Sequence, residues 1–117
     1  MSIILCFDID ETICKTTGTD YSNSTPIKER IDQINELFDQ GNIIKLLTAR
    51  GAVSGIDWTE VTEKQLSLWG LKYHELHLTK PYADIYVDDK GANDIIFFNN
   101  LKNSSIILVM KKLLGRE

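Results

Sequence analysis

The chain has 117 residues, 43% of them apolar and 26% charged, which fits one soluble domain spanning residues 1–117 with a core of its own. A net charge of −4 argues against non-specific nucleic-acid binding, which needs a basic face. No apolar run approaches the ~20 residues of a membrane span, no basic leader with a cleavage site opens the chain, and two cysteines, Cys6 and Cys14, fit a reduced, cytoplasmic protein.

Strand and helix patterns alternate along the sequence. Residues 3–7 form an uninterrupted apolar run, as expected of a central parallel strand covered on both faces. The polar stretch KTTGTDYSNST, residues 15–25, reads as loop. Thr25 is placed to cap a helix with Pro26 in its first turn, where a missing N–H costs nothing. Ile27, Ile31, Ile34, Leu37 and Phe38 then recur at helical spacing until Gly41 closes the segment. A second strand covers residues 42–48, a loop 49–57, and a second helix 58–70. Short strands follow at 73–78 and 83–89, the latter ending on Asp88 and Asp89. Residues 91–102 are expected to be helical, although their apolar block also suits a strand, and residues 104–110 predict a fifth strand. Such alternation predicts an α/β fold, a parallel sheet wrapped by helices and joined by right-handed crossovers. His74 and His77 sit at a spacing that points two rings to opposite faces of a strand, so a structural or surface role is expected for them rather than zinc ligation.

Ligands of parallel sheets bind beyond the carboxyl ends of the strands. Asp8, Asp10, Thr48, Asp88 and Asp89 all fall there, with Lys80 in the loop before the fourth strand. Several carboxylates in one small pocket repel and cannot all remain ionised unaided. A hard cation relieves that repulsion, and oxygen ligands with open positions suit Mg2+, which commonly binds phosphate oxygens as well. A hydroxyl, backbone N–H groups at a strand-to-loop turn and a lysine complete a phosphate site, in which an aspartate can act as nucleophile.

These residues resemble a family. FDIDETI is similar to the DxDxT signature of the haloacid dehalogenase (HAD) superfamily of phosphohydrolases, IIKLLT with Thr48 to its second motif, Lys80 in LTKPYAD to its third, and YVDDKGAND to its acidic fourth. The four occur in the family's order between Asp8 and Asp94. The resemblance implies a three-layer Rossmann-like core with a five-stranded, mainly parallel sheet. It makes Asp8 the nucleophile and a Mg2+ ligand. Asp10 becomes the acid–base residue, its carbonyl a further ligand. Thr48 and the N–H of Ala49 hold the phosphoryl group, Lys80 bridges it to the nucleophile, and Thr12 fixes the loop after the first strand. Asp89 is the expected direct metal ligand and Asp88 its rival.

Alternatives stay open at several positions. Lys90 stands behind Lys80, Asp94 is a trailing motif acid or an acid at a helix start, and Arg50 contacts substrate or forms a structural ion pair. Trp58 and Trp69 read as packing residues rather than substrate platforms, and Tyr21 lies in a loop that lines the site mouth or is simply exposed. Neither the stretch after the first strand nor that between Thr48 and Lys80 has room for a large cap domain. An open site of this kind accepts large phosphates or is covered by a second subunit, so a homo-oligomer is an expectation. TICKTT and LTARG look like small phosphatases of bacterial surface-carbohydrate (capsule) synthesis, which implies a phosphorylated sugar or small metabolite as substrate. The competing readings are a polynucleotide end phosphatase and a non-catalytic phosphate- or metal-binding regulator.

Overall fold

A computed structural model describes residues 2–78, 83–88 and 92–103. Its centre is β1 (Ile4–Asp8), a strand enclosed on both faces: Leu5 and Phe7 on one side and Cys6 on the other are all buried. The remaining elements run in chain order as β2 (Cys14–Lys15), a 3-10 turn (Tyr21–Asn23), β3 (Thr25–Pro26), α1 (Lys28–Asp39), β4 (Ile43–Leu47), α2 (Thr59–Leu68), β5 (Glu75–His77), β6 (Ile85–Asp88), β7 (Ala92–Asn93) and α3 (Asp94–Asn103). The main sheet has the order β5-β4-β1-β6-β7, and every neighbouring pair in it is parallel. The chain is therefore α/β, with a parallel sheet flanked by helices and, among the described residues, no cap domain.

Helix α1 forms where the periodicity places it. Ile31, Ile34 and Leu37 face the core, and the helix stops at Gly41, whose φ of 93° lies in the left-handed region that glycine enters without strain. Asn42 joins that stop to the central strand: its side chain donates to the Leu37 carbonyl at 3.1 Å and accepts the Ile3 N–H at 3.1 Å. Helices α1 and α3 lie side by side. Arg30 pairs with Asp94 at 2.7 Å, its guanidinium lies 4.8 Å from the Phe98 ring centre, and Gln33 donates to the Phe98 carbonyl. Asp94 is thus an acid of the first turn of α3 that neutralises a largely buried arginine.

Three expectations need correction. Residues 15–25 are not plain loop: β2 and β3 form a two-stranded antiparallel ribbon that pairs Cys14 with Pro26 and Lys15 with Thr25. For the same reason Thr25 does not cap α1. The helix begins two residues beyond Pro26, with Ile27 at its cap position and the Ile27 N–H donated to the Ile13 carbonyl at 2.8 Å. The third correction concerns the 91–102 helix, which starts only at Asp94 because Ala92 and Asn93 pair with β6. The strand expected over 104–110 lies outside the described residues. His74 has the structural role expected of it, since its Nδ1 accepts the Ile44 N–H at 3.0 Å and its ring stacks on Phe38. His77 pairs with Glu75 on β5.

Phe7 is fully enclosed and meets both Phe97 and Phe98, with ring centres 5.8 and 6.0 Å away. Phe7→Ala leaves a cavity there and is expected to lower unfolding free energy by about 3–5 kcal/mol in urea denaturation. Leu68→Ala, at a side chain 84% exposed, should change it by no more than about 0.5 kcal/mol. Equal effects of the two would contradict this account of the core.

Candidate active site at the carboxyl ends of the strands

Parallel register brings three strand ends together. Asp8 lies opposite Leu47 on β4, and Phe7 lies opposite Val87 on β6, so Asp8, Thr48 and Asp88 all fall at one edge of the sheet. The β1–β4 ladder continues one residue further through the Ile9 N–H, donated to the Leu47 carbonyl at 3.1 Å. Thr48 is buried. Its N–H donates to the His77 carbonyl at 3.0 Å, and its hydroxyl accepts the Arg50 N–H at 3.1 Å. The turn that follows β4 leaves the Ala49 N–H with no hydrogen bond among the described residues.

Beyond β1 the chain turns sharply. The Ile9 carbonyl accepts the N–H groups of Thr12, Ile13 and Cys14, and Glu11 takes a φ of 67°, an uncommon conformation for a residue with a side chain. This reversal presents Asp10 to Arg50. Arg50 Nε and Nη2 grip the two carboxylate oxygens at 3.0 and 2.8 Å, and the Thr16 hydroxyl donates to Asp10 Oδ1 at 2.6 Å. Partial burial works against the Asp10 carboxylate, but the hydrogen bonds from Arg50 and Thr16 and the charge of Arg50 outweigh it, so its pKa falls below 3.8. Arg50 itself is 3% exposed. Its remaining donors reach Gln65 Oε1 at 2.6 Å, Thr62 Oγ1 at 3.1 Å and Ser24 Oγ at 3.3 Å, and its guanidinium lies over the Tyr21 ring at 4.9 Å. Tyr21 in turn meets Trp58 edge to face at 5.1 Å.

The candidate residues thus separate into three groups. Asp8, Asp10, Thr48, Ala49 and Asp88 lie together at the strand ends. Lys80, Asp89 and Lys90 lie outside the described residues. Arg50 proves to be the ion-pair partner of Asp10, and Thr12 acts through its backbone: its carbonyl accepts Arg30 Nη1 at 2.9 Å, while its buried hydroxyl has no partner among the described residues. Trp69 packs against the core as expected. Trp58 does not pack there, and with Tyr21 it borders hollows beside the site. The sequence reading missed Thr16, Ser24, Thr62 and Gln65; only the last two carried a signal, a three-residue spacing that puts both on one face of a helix. Burial pushes the Cys14 thiol pKa up, and its sulfur lies 3.6 Å from Asp10 Oδ1.

Among the described residues no three His, Cys, Asp or Glu side chains cluster closely enough to hold a metal. Asp8 and Asp88 nevertheless end adjacent strands, and the Asp10 carbonyl accepts no hydrogen bond from a described residue. This all-oxygen donor set fits Mg2+.

No family model and no curated protein matches the chain. Its backbone is similar to the crystal structure of an MCSG target from Vibrio cholerae, with a TM-score of 0.73 and 21% sequence identity over 98% of each chain. That likeness is one of fold. No described helix is long and apolar enough to cross a membrane.

Two predictions follow from the site's geometry. Asp10 carries a depressed pKa in the folded state, so the stability it contributes is complete above pH 3.8 and is lost as pH falls below that value. The advantage of wild type over Asp10→Asn in metal-free urea denaturation should therefore shrink on acidification; an advantage independent of pH would refute the ionised pair. At Gly51, where φ is +83°, a Cβ would lie 1.9 Å from the Ile56 carbonyl oxygen. Gly51→Ala should displace the loop and cost at least about 1–3 kcal/mol, whereas a neutral outcome would show that the loop is soft.

Proposed function

We propose that the protein is a Mg2+-dependent phosphomonoester hydrolase of the HAD type, acting on a small phosphorylated metabolite through an aspartyl-phosphate. The observation that carries this reading is the register that aligns Asp8, the Thr48–Ala49 turn and Asp88 at one sheet edge, with Asp10 held beside them by Arg50.

Each residue has a defined task in this reading. The Asp8 carboxylate attacks phosphorus as the bond to the leaving oxygen breaks, and Asp10 delivers a proton to that oxygen. A water then attacks the phosphorus of the acyl phosphate. Asp10 takes its proton, inorganic phosphate leaves and the Asp8 carboxylate is restored. The Ala49 N–H and the Thr48 turn hold the phosphoryl oxygens as charge shifts onto them. Asp8, Asp88, Asp89 and the Asp10 carbonyl would hold Mg2+, which when bound offsets the negative charge gathered by the carboxylates and the phosphate.

Phosphate release in the presence of Mg2+ tests the proposal. Turnover should disappear with a chelator and in Asp8→Asn. Asp10→Asn should lower kcat by roughly 10²–10⁴-fold, the range of acid–base assistance. Undiminished turnover by Asp8→Asn would exclude an aspartyl-phosphate at this position.

A further inference from the structure

One guanidinium joins the two halves of the candidate cation site. Arg30 Nη1, on α1, donates to the Thr12 carbonyl at 2.9 Å and to Asp94 Oδ2 at 2.7 Å. Thr12 belongs to the turn that carries Asp10. Asp94 follows Asn93, which lies opposite Asp88 in the β6–β7 ladder. We propose that Arg30 is a positioning residue of the cation site: it ties the turn bearing the Asp10 carbonyl to the strand end bearing Asp88 and so fixes the spacing of those two ligands. The inference rests on the phosphatase reading and adds to it a residue that sets how tightly Mg2+ is held.

The site needs such a tie. The β1–β6 ladder ends at the Phe7–Val87 pair, and Asp10 lies beyond it, in the turn. Mg2+ accepts little departure from octahedral geometry. Ligands drawn from two separate segments therefore need a common support that holds them at a set distance.

On the first side, α1 clamps the turn at two successive carbonyls. Arg30 takes that of Thr12, and the Ile27 N–H at the helix start donates to that of Ile13 at 2.8 Å. The turn is one that calls for clamping, since Glu11 within it has a φ of 67°.

On the second side, α1 grips α3. Besides the ion pair with Asp94, the Arg30 guanidinium lies 4.8 Å from the Phe98 ring centre, and Gln33 donates to the Phe98 carbonyl at 3.1 Å. The Phe98 ring stacks on Phe7, the residue before Asp8. The tie is also stiff. The side chains of Arg30 and Asp94 are 17% and 12% exposed, so opening the pair would leave charges with little water to receive them. Asp94 thus serves the cation through Arg30 and Asn93 rather than as a ligand.

The test titrates Mg2+ into the full chain by calorimetry, at a temperature where circular dichroism shows each variant folded. Arg30→Met should raise the Mg2+ Kd about tenfold, the lower end of what orienting partners of metal ligands contribute. Arg30→Lys keeps the charge and should recover most of that loss. Asp94→Asn should weaken binding to a similar degree, and adding it to Arg30→Met should change little, since both break one link. Leu37→Ala, a core truncation on the same helix, should lower stability and leave the Kd unmoved. If Arg30→Met does not fold, Asp94→Asn, which keeps the shape of its side chain, is compared with Leu37→Ala instead. A Kd raised as much by Leu37→Ala as by the Arg30 or Asp94 variant would reduce Arg30 to a support of the fold and overturn the proposal. Losses from Asp94→Asn and Arg30→Met that add in full would make Asp94 a ligand in its own right and overturn it too. Equal Mg2+ binding by wild type and Arg30→Met would sink the tie while the phosphatase stands. A wild type that binds no Mg2+ would remove both.

Discussion

The enclosed Arg50 guanidinium is the constraint around which the carboxyl-end face of the sheet is organised. A guanidinium taken out of water is tolerable only when its donors find acceptors, above all a carboxylate. Arg50 meets that demand with Asp10 from the turn after β1, Ser24 from just ahead of β3, and Thr62 and Gln65 from α2, and it lies on Tyr21 from the 3-10 turn. Three segments, the turn after β1, the 3-10 turn closed by Ser24, and α2, are thereby fixed about a single side chain. Lysine could not substitute, because a compact ammonium has neither the fork that matches a carboxylate nor a planar face to lay on Tyr21. The short ribbon of β2 and β3 gains its rationale here, since it brings Thr16 and Ser24 together, their hydroxyls 2.6 Å apart, beside the same carboxylate–guanidinium pair.

The central strands of the sheet were legible in the sequence because each meets a local rule. β1 reads as a continuous apolar run since it is covered on both faces, and β4 is apolar but for Lys45, with Ile44 and Leu46 buried. α1 was legible for the same reason, through Ile31, Ile34 and Leu37 at helical spacing. What escaped was decided by pairing at a distance. Thr25 and Pro26 make a convincing helix start by themselves, and only the presence of Cys14 across from Pro26 draws them into a ribbon. Two-residue strands such as β3 and β7 carry no periodicity at all, so composition cannot announce them.

The site divides along the same line. Acids and a threonine at strand ends are visible because parallel topology carries strand ends to one edge whatever the details of packing. The partner of Asp10 was not visible. Arg50 is forty residues away in sequence, and its choice between substrate and ion pair depends on whether the loop after β4 turns inward. That inward turn depends on Gly51, where Ile56 excludes a Cβ, a short contact between loop atoms that leaves no imprint on hydrophobic pattern. The aromatic character of the neighbouring hollow has the same origin: Tyr21 sits in a segment polar enough to read as exposed loop, yet its ring is held between Arg50 and Trp58.

The Arg50–Asp10 pair also biases the chemistry. A carboxylate held ionised by a bidentate arginine is ready to accept a proton, which in the proposed phosphatase reading suits the step in which water would attack the aspartyl-phosphate. The same pairing opposes the preceding step, where Asp10 must already carry the proton it gives to the leaving oxygen.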